Sequence, residues 1–178
     1  MASTPPLASR LSPLASAMTM NAPLFFSAFA IALRTGLFYA GIELEGFTFG
    51  FVLLGLVTVL VFLCGHFTLN EEPNAPLPMI FRAGLQGAAV FALVYALFLL
   101  LFFKVLNTAE FPMRVAGLIH DSTAQGVPEE EARRNINAFF TPGRYAFTTF
   151  AGLLGVGTVN ALVFAVLQHK LLRRYRSR

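Results

Sequence analysis

Three polar side chains within long apolar segments are the first candidates for chemistry in this sequence. Gln86 and Asn160 lie in segments that are otherwise almost free of charge, and Arg34 interrupts another. A polar group at membrane depth marks either an ion or substrate path or a hydrogen bond that holds helices together. An ion path would also need an acidic group at that depth, and none of the nine Asp and Glu residues lies inside such a segment. The pattern favours helix packing for Gln86 and Asn160.

Arg34 has a different expected role, because its side chain is long and lies in the outer half of its segment. Such a side chain extends along the apolar surface and keeps its charge in water. We expect the guanidinium group to extend outward toward Glu43 or Glu45, which follow the segment. This interpretation makes Arg34 a structural residue.

The remaining reactive residue types form no catalytic or metal-binding pattern. His66 and His169 lie at segment ends, His120 lies in a polar loop, and Cys64 is the only cysteine. These positions predict neither a shared metal site nor a disulfide within the chain. The sequence also lacks a Ser-His-Asp arrangement, a phosphate-binding glycine loop and a zinc-peptidase spacing. We therefore expect no cofactor, no metal ion and no enzymatic activity.

Four apolar segments must position these residues, and each is long enough to cross a bilayer. A hydrocarbon core of roughly 30 Å needs about 20 helical residues. Only 12% of the residues are charged, against about 25% in ordinary globular domains. The sequence predicts an all-α membrane protein, a four-transmembrane-helix bundle with spans at residues 22–42, 46–68, 82–105 and 145–168.

The two ends of the chain predict its orientation in the membrane. Residues 1–21 are rich in Ala, Ser, Pro and Thr, and we expect a disordered extension before the transmembrane domain at 22–169. The tail at 170–178 carries five of the thirteen basic residues. Positive charge is retained on the cytoplasmic side, so with an even number of spans both termini are expected there. The net charge of +4 then needs no nucleic acid as a partner.

One segment outside the predicted spans is large enough to fold. Residues 107–144 contain two amphipathic patterns, which predict a short helix near Pro112 and a second helix beginning at Pro128. The second places Glu129 one helical turn from Arg133, where opposite charges attract. This helical extramembrane loop between spans three and four could lie on the membrane, cover the bundle or bind a partner. A solvated connector is the alternative.

Small residues recur at helical spacing on three of the four spans. Such stripes let helix backbones approach closely. We expect them to face the bundle interior or a second copy of the chain, and to leave the Phe and Leu faces to lipid. The stripe residues are Ala28, Ala32 and Gly36 on the first span, Gly84, Ala88, Ala92 and Ala96 on the third, and Gly155, Gly157 and Ala161 on the fourth.

The chain from Pro78 onward resembles a family of small bacterial inner-membrane proteins of unknown function with four predicted transmembrane helices. The segment PMIFRAGLQGAAVFALVYALFLLLFFKVLN is similar to the family's amphipathic lead-in and third span. The segment GVPEEEARRNINAFFTPGRYAFTTFAGLLGVGTVNALVFAVLQHKLLRR is similar to its acidic extramembrane helix, fourth span and basic end. The resemblance implies a four-helix architecture in a bacterial cytoplasmic membrane. It implies no activity and no catalytic residue.

Three classes of function follow from these expectations. The favoured one is a non-enzymatic integral membrane protein, a scaffold or accessory subunit that binds a second copy or another membrane protein through residues 107–144. The alternative is a small homo-oligomeric transporter or channel in which Gln86, Asn160 and Arg34 line a path. An intramembrane lipid-modifying enzyme is the weakest of the three, because it would have to use Arg34 with an outer acidic residue or His120.

Overall fold

A computed structural model of the chain shows a fold made of α-helices. It describes the backbone of residues 8–42 and 46–172, and the side chains of residues 21–42 and 48–170. Within those ranges it contains six α-helices and no strand, which confirms the predicted all-α class. The helices are α1 Ala8–Tyr39, α2 Gly46–Glu71, α3 Leu77–Leu101, α4 Glu110–Ala124, α5 Glu129–Phe139 and α6 Pro142–Leu167, and π-helical turns follow α3 at Phe102–Leu106 and α6 at Gln168–Leu172.

Four segments of these helices are long and apolar enough to cross a membrane. They are Asn21–Tyr39, Thr48–Glu71, Leu77–Leu106 and Pro142–Lys170. The shortest has 19 residues and the longest has 30, and a crossing takes about 20. The protein is therefore a multi-pass integral membrane protein, and two further helices lie between the third and fourth spans as predicted.

The N-terminal segment differs from its predicted state. Residues 1–21 were expected to be disordered, whereas the structure places residues 8–21 in the first turns of α1, continuous with the first span. Ala, Leu and Met are frequent in this segment and have high intrinsic helix propensity. Helix propensity can order such a segment even where it buries little apolar surface. Residues 1–7 lie outside the described part of the chain, as do Glu43, Glu45 and residues 173–178.

The chain forms two compact units. The first contains Met1–Val94 and Gly152–Arg178, and the second contains Tyr95–Ala151. In the first unit, α2 packs against α1, α3 and α6. Its inward face is almost fully buried at Val57, Leu60, Val61 and Cys64. Burial on several sides fits a helix that is apolar around its whole circumference.

The second unit contains the two short helices and the ends of the third and fourth spans. Phe103, Phe111 and Tyr145 form a cluster of edge-to-face rings whose centroids are 5.3, 5.5 and 6.0 Å apart. α4 ends at Ala124, and Gly126 adopts a φ of 90°, which a residue without a Cβ atom adopts readily. Ala132 of α5 is buried in the hairpin that results. We call α4 and α5, residues 110–139, the hairpin.

Candidate functional site

A hydrogen bond between α6 and α2 joins two polar side chains of the first unit. Asn160 Nδ2 on α6 donates to Thr58 Oγ1 on α2 over 2.8 Å. The Thr58 hydroxyl in turn donates to the Leu54 carbonyl over 2.7 Å. Both side chains are half-buried. The two bonds run across the helix interface and into the backbone of α2, so the arrangement is that of a packing bond.

A second polar contact with α2 comes from the π-helical turn after α6 and involves Gln168, which is only 2% exposed. Its Nε2 donates to the Phe62 carbonyl over 2.9 Å. Its Oε1 has no hydrogen-bond partner among the described residues and lies against Gly65, where a Cβ atom would overlap with it. Contacts between Cα–H groups and oxygens recur where helices pack closely. Gly65 therefore provides the space that this amide occupies.

Two residues of this interface, Thr58 and Gln168, were not singled out from the sequence. Threonine is common in membrane helices, so Thr58 gave no separate signal. Gln168 lies at the end of a span, where a polar residue is expected to meet water. A hydrogen bond between polar residues on two spans can be predicted only when both residues are known to lie at the same depth in the membrane.

Three glycines besides Gly65 mark close approaches between helices of the first unit. A Cβ atom added to Gly157 would overlap with Ala88. At Gly84 the added atom would lie 3.1 Å from Val61 Cγ1 and 3.2 Å from Ala161 Cβ, and at Gly87 it would lie 2.7 Å from Cys64 Sγ. The structure thus places stripe residues of α3 directly against stripe residues of α6. The buried members of the two stripes are Gly84, Ala88, Ala92, Ala96, Gly157 and Ala161.

The other stripe residues lie on exposed surfaces. Ala28, Ala32 and Gly36 of α1 are exposed, and so is Gly155 of α6, near which no described atom would meet an added Cβ within 4 Å. α1 instead buries Pro23, Ser27 and Ala30. Ser27 can be buried because its hydroxyl donates to the Pro23 carbonyl over 2.7 Å. The α1 stripe thus does not face the interior of the first unit, and the other expected arrangement, contact with a second copy, stays a prediction.

The other two polar candidates have different surroundings. The guanidinium carbon of Arg34 lies 5.4 Å from the centroid of the Phe49 ring, within the range of a cation–π contact. Gln86 is exposed on the surface of α3. Arg34 and Asn160 are thus each engaged with a residue of α2, whereas Gln86 faces away from the helices that α3 packs against.

The hairpin contains an open cleft of about 710 Å³. α4 contributes an apolar wall with Phe111, Val115 and Ile119, and α5 contributes a polar wall with Arg133 and Asn137. Arg133 Nη2 and Glu129 Oε1 lie 2.9 Å apart in the predicted ion pair, so these two charges neutralise each other. The volume lies within the roughly 300–1,000 Å³ of small-molecule and anchor-residue pockets. The cleft can hold an apolar group that carries a hydrogen-bonding end.

The outer surface of the same unit carries exposed apolar side chains next to charged ones. Met113 is 64% exposed and Phe139 is 69% exposed. The guanidinium carbon of Arg144 lies 5.2 Å from the centroid of the Phe139 ring. Exposed Met, Phe and Arg side chains are enriched in protein interfaces. The hairpin thus combines a cleft with surface chemistry that suits a binding partner.

Among the described residues, no group of three or more His, Cys, Asp or Glu side chains could hold a metal ion. No family model, no curated protein and no solved structure matches the chain. The resemblance to a bacterial four-helix family therefore stays a prediction.

Proposed function

We propose that this integral membrane protein is a non-enzymatic scaffold or accessory subunit, and that its hairpin binds another membrane protein. The observation that carries the proposal is the hydrogen bond from Asn160 to Thr58, which uses one of the intramembrane polar candidates for helix packing. Gln168 is used in the same way through the Phe62 carbonyl. Polar groups that hydrogen-bond across a helix interface stabilise that interface and are withdrawn from contact with a transported solute.

The hairpin supplies the binding surface in this proposal. Its folded state is supported by the buried Phe111 and Ala132 and by the ion pair between Arg114 and Glu110, whose closest atoms are 2.6 Å apart. A connector that only returned the chain to the membrane would need no such core. The exposed Met113 and Phe139 are then anchor residues for a partner, and the cleft receives one of the partner's apolar side chains.

The proposed location is the bacterial cytoplasmic membrane, with both termini in the cytoplasm. The basic tail at 170–178 supports this orientation, since positive charge is retained on the cytoplasmic side. The hairpin then lies on the outer face of the membrane, where the partner must present its own binding surface.

Photocrosslinking in intact cells tests the proposal. A benzophenone amino acid would replace Met113 on the hairpin surface or Asn137 in the cleft, and the tagged protein would be purified and its adducts identified by mass spectrometry. Leu162 is the matched control, because it is 54% exposed on α6 and far from the hairpin in sequence. We expect one different membrane protein to be captured from both hairpin positions and not from Leu162. Capture of only lipid or of the chain itself from the hairpin would contradict the proposal.

A further inference from the structure

Two basic residues lie at the membrane boundary where the third and fourth spans meet the hairpin. Lys104 is in the last turn of the third span, and Arg144 is in the first turn of the fourth. Their neighbours in sequence, Phe103 and Tyr145, have ring centroids 5.5 Å apart, so both basic residues belong to the same end of these spans. Both side chains are exposed. A charged group at the edge of the hydrocarbon core extends to the headgroup layer.

The acidic residues of the second unit are either distant from these cations in sequence or already paired. Four of the five lie around the turn of the hairpin, at positions 121–131. The fifth, Glu110, is nearer to the spans but pairs with Arg114 over 2.6 Å. Among the described residues, neither Lys104 nor Arg144 forms an ion pair. This end of the unit therefore carries two positive charges that no described residue neutralises.

Exposed apolar side chains adjoin each of the two cations. Val105 follows Lys104 and is 71% exposed, and Phe147 lies one helical turn after Arg144 and is 69% exposed. These side chains belong to the lipid-facing surface of the two spans. The contact of the Arg144 guanidinium with the Phe139 ring keeps that charge beside the apolar surface. A ligand at this place must combine an anionic group with hydrocarbon, as a phospholipid does and a free phosphate ion does not.

We infer that Lys104 and Arg144 each bind the phosphate of a phospholipid at this boundary, and that they prefer anionic phospholipids. Arginine presents a fork of N–H donors that matches a phosphate group, and lysine binds it as a point charge. A zwitterionic headgroup carries its own cation beside the phosphate, so net attraction to a basic residue is left for the anionic headgroup. The acyl chains lie along Val105 and Phe147. This lipid site does not depend on the proposed function, because neither cation belongs to the hairpin.

Local lipid selectivity, measured by fluorescence quenching, tests the inference. The chain contains no tryptophan, so Phe147→Trp introduces a single fluorophore one turn from Arg144. The protein is reconstituted in vesicles of phosphatidylcholine and phosphatidylglycerol, of which one or the other is brominated on its acyl chains. The two quenching curves give the ratio of the binding constants of the two lipids at this position. We expect phosphatidylglycerol to bind about fivefold more tightly, the factor that corresponds to roughly 1 kcal/mol for one near-surface cation.

Charge variants in the same reporter protein identify the cation. Arg144→Gln should bring the ratio close to one, whereas Arg144→Lys retains the charge and should keep most of the preference. Arg134→Gln is the matched control, because it removes the same charge from an exposed position on α5 and should leave the ratio unchanged. Val105→Trp with Lys104→Gln repeats the measurement at the third span. Circular dichroism verifies that each variant is folded.

A ratio close to one in the Phe147→Trp protein would overturn the inference. So would an unchanged ratio in Arg144→Gln. An equal fall in Arg134→Gln would also overturn it, because the preference would then reflect the overall charge of the protein and not a site at the membrane boundary.

Discussion

Asn160 and Thr58, which are 102 positions apart in the sequence, are joined side chain to side chain by a hydrogen bond of 2.8 Å between α6 and α2. The Thr58 hydroxyl is both acceptor and donor, because its own O–H group donates to the Leu54 carbonyl. The Thr58 hydroxyl thus links the Asn160 amide to the backbone of α2. This relationship makes the fourth span a structural partner of the second.

A double-mutant cycle should detect the bond. We expect Asn160→Ala and Thr58→Val to couple by about 0.6 to 1.7 kcal/mol, the range for interhelical hydrogen bonds in membranes. The measurement is unfolding in mixed micelles by titration with SDS. Thr158→Val is the control partner, since the Thr158 hydroxyl donates to the Leu154 carbonyl of its own helix. Equal coupling free energies of Asn160 with Thr58 and with Thr158 would show that the hydrogen bond does not cause the coupling.

Gly157→Ala should destabilise the packing of α3 against α6. Its new methyl group would overlap with Ala88, and overpacking of this kind costs roughly 1–3 kcal/mol. Gly155→Ala, two residues earlier, should be neutral or slightly stabilising, because the added atom meets open space and alanine favours helix. Unfolding in mixed micelles compares the two variants. Similar stabilities would contradict the close approach at Gly157.

Gly87→Ala should be destabilising, and a change on the facing helix should relieve it. The added Cβ atom would lie 2.7 Å from Cys64 Sγ, so we expect a loss of roughly 1–3 kcal/mol. Removing the sulfur by Cys64→Ala opens the space that the methyl group needs. The double variant should therefore be more stable than the sum of the two single effects predicts. Strict additivity in the same unfolding assay would disprove the contact.

Phe111→Ala should loosen the hairpin. Phe111 is 7% exposed and contacts the Phe103 and Tyr145 rings, and truncating a buried phenylalanine costs roughly 3–5 kcal/mol. Hydrogen exchange of the α4 and α5 amides should accelerate strongly. Phe139→Ala is the matched control, because Phe139 is 69% exposed and surface truncations change stability by about 0.5 kcal/mol or less. Equal exchange in both variants would mean that the ring cluster does not support the hairpin.

The spans and the hairpin were predictable because they depend on local properties. Span length and charge depletion follow directly from the thickness of a bilayer. The hairpin helices follow from periodicity, from the turn at Gly126 and from the opposite charges of Glu129 and Arg133. Each of these signals lies within one continuous segment of the chain, so it can be read without knowledge of the packing.

The direction in which each helix faces could not be predicted in the same way. Small residues show which faces permit close approach, but they do not show which of several such faces is used. On α1 the buried face contains Pro23 and Ser27, and the stripe at Ala28 is exposed. The pairing of Asn160 with Thr58 likewise depends on the depth and rotation of two helices that are distant in sequence. These quantities are set by the packing of the whole unit.

The most direct test of the central claim is the water accessibility of position 160. Asn160→Cys in a Cys64→Ala background would be treated with a membrane-impermeant maleimide from each side of the membrane, with the exposed Met113→Cys as the positive control. If Asn160 serves helix packing, the thiol at position 160 should stay unlabelled from both sides and react only after unfolding in SDS. Labelling in the folded protein would contradict the account, because it would place an aqueous path where the structure has a helix interface.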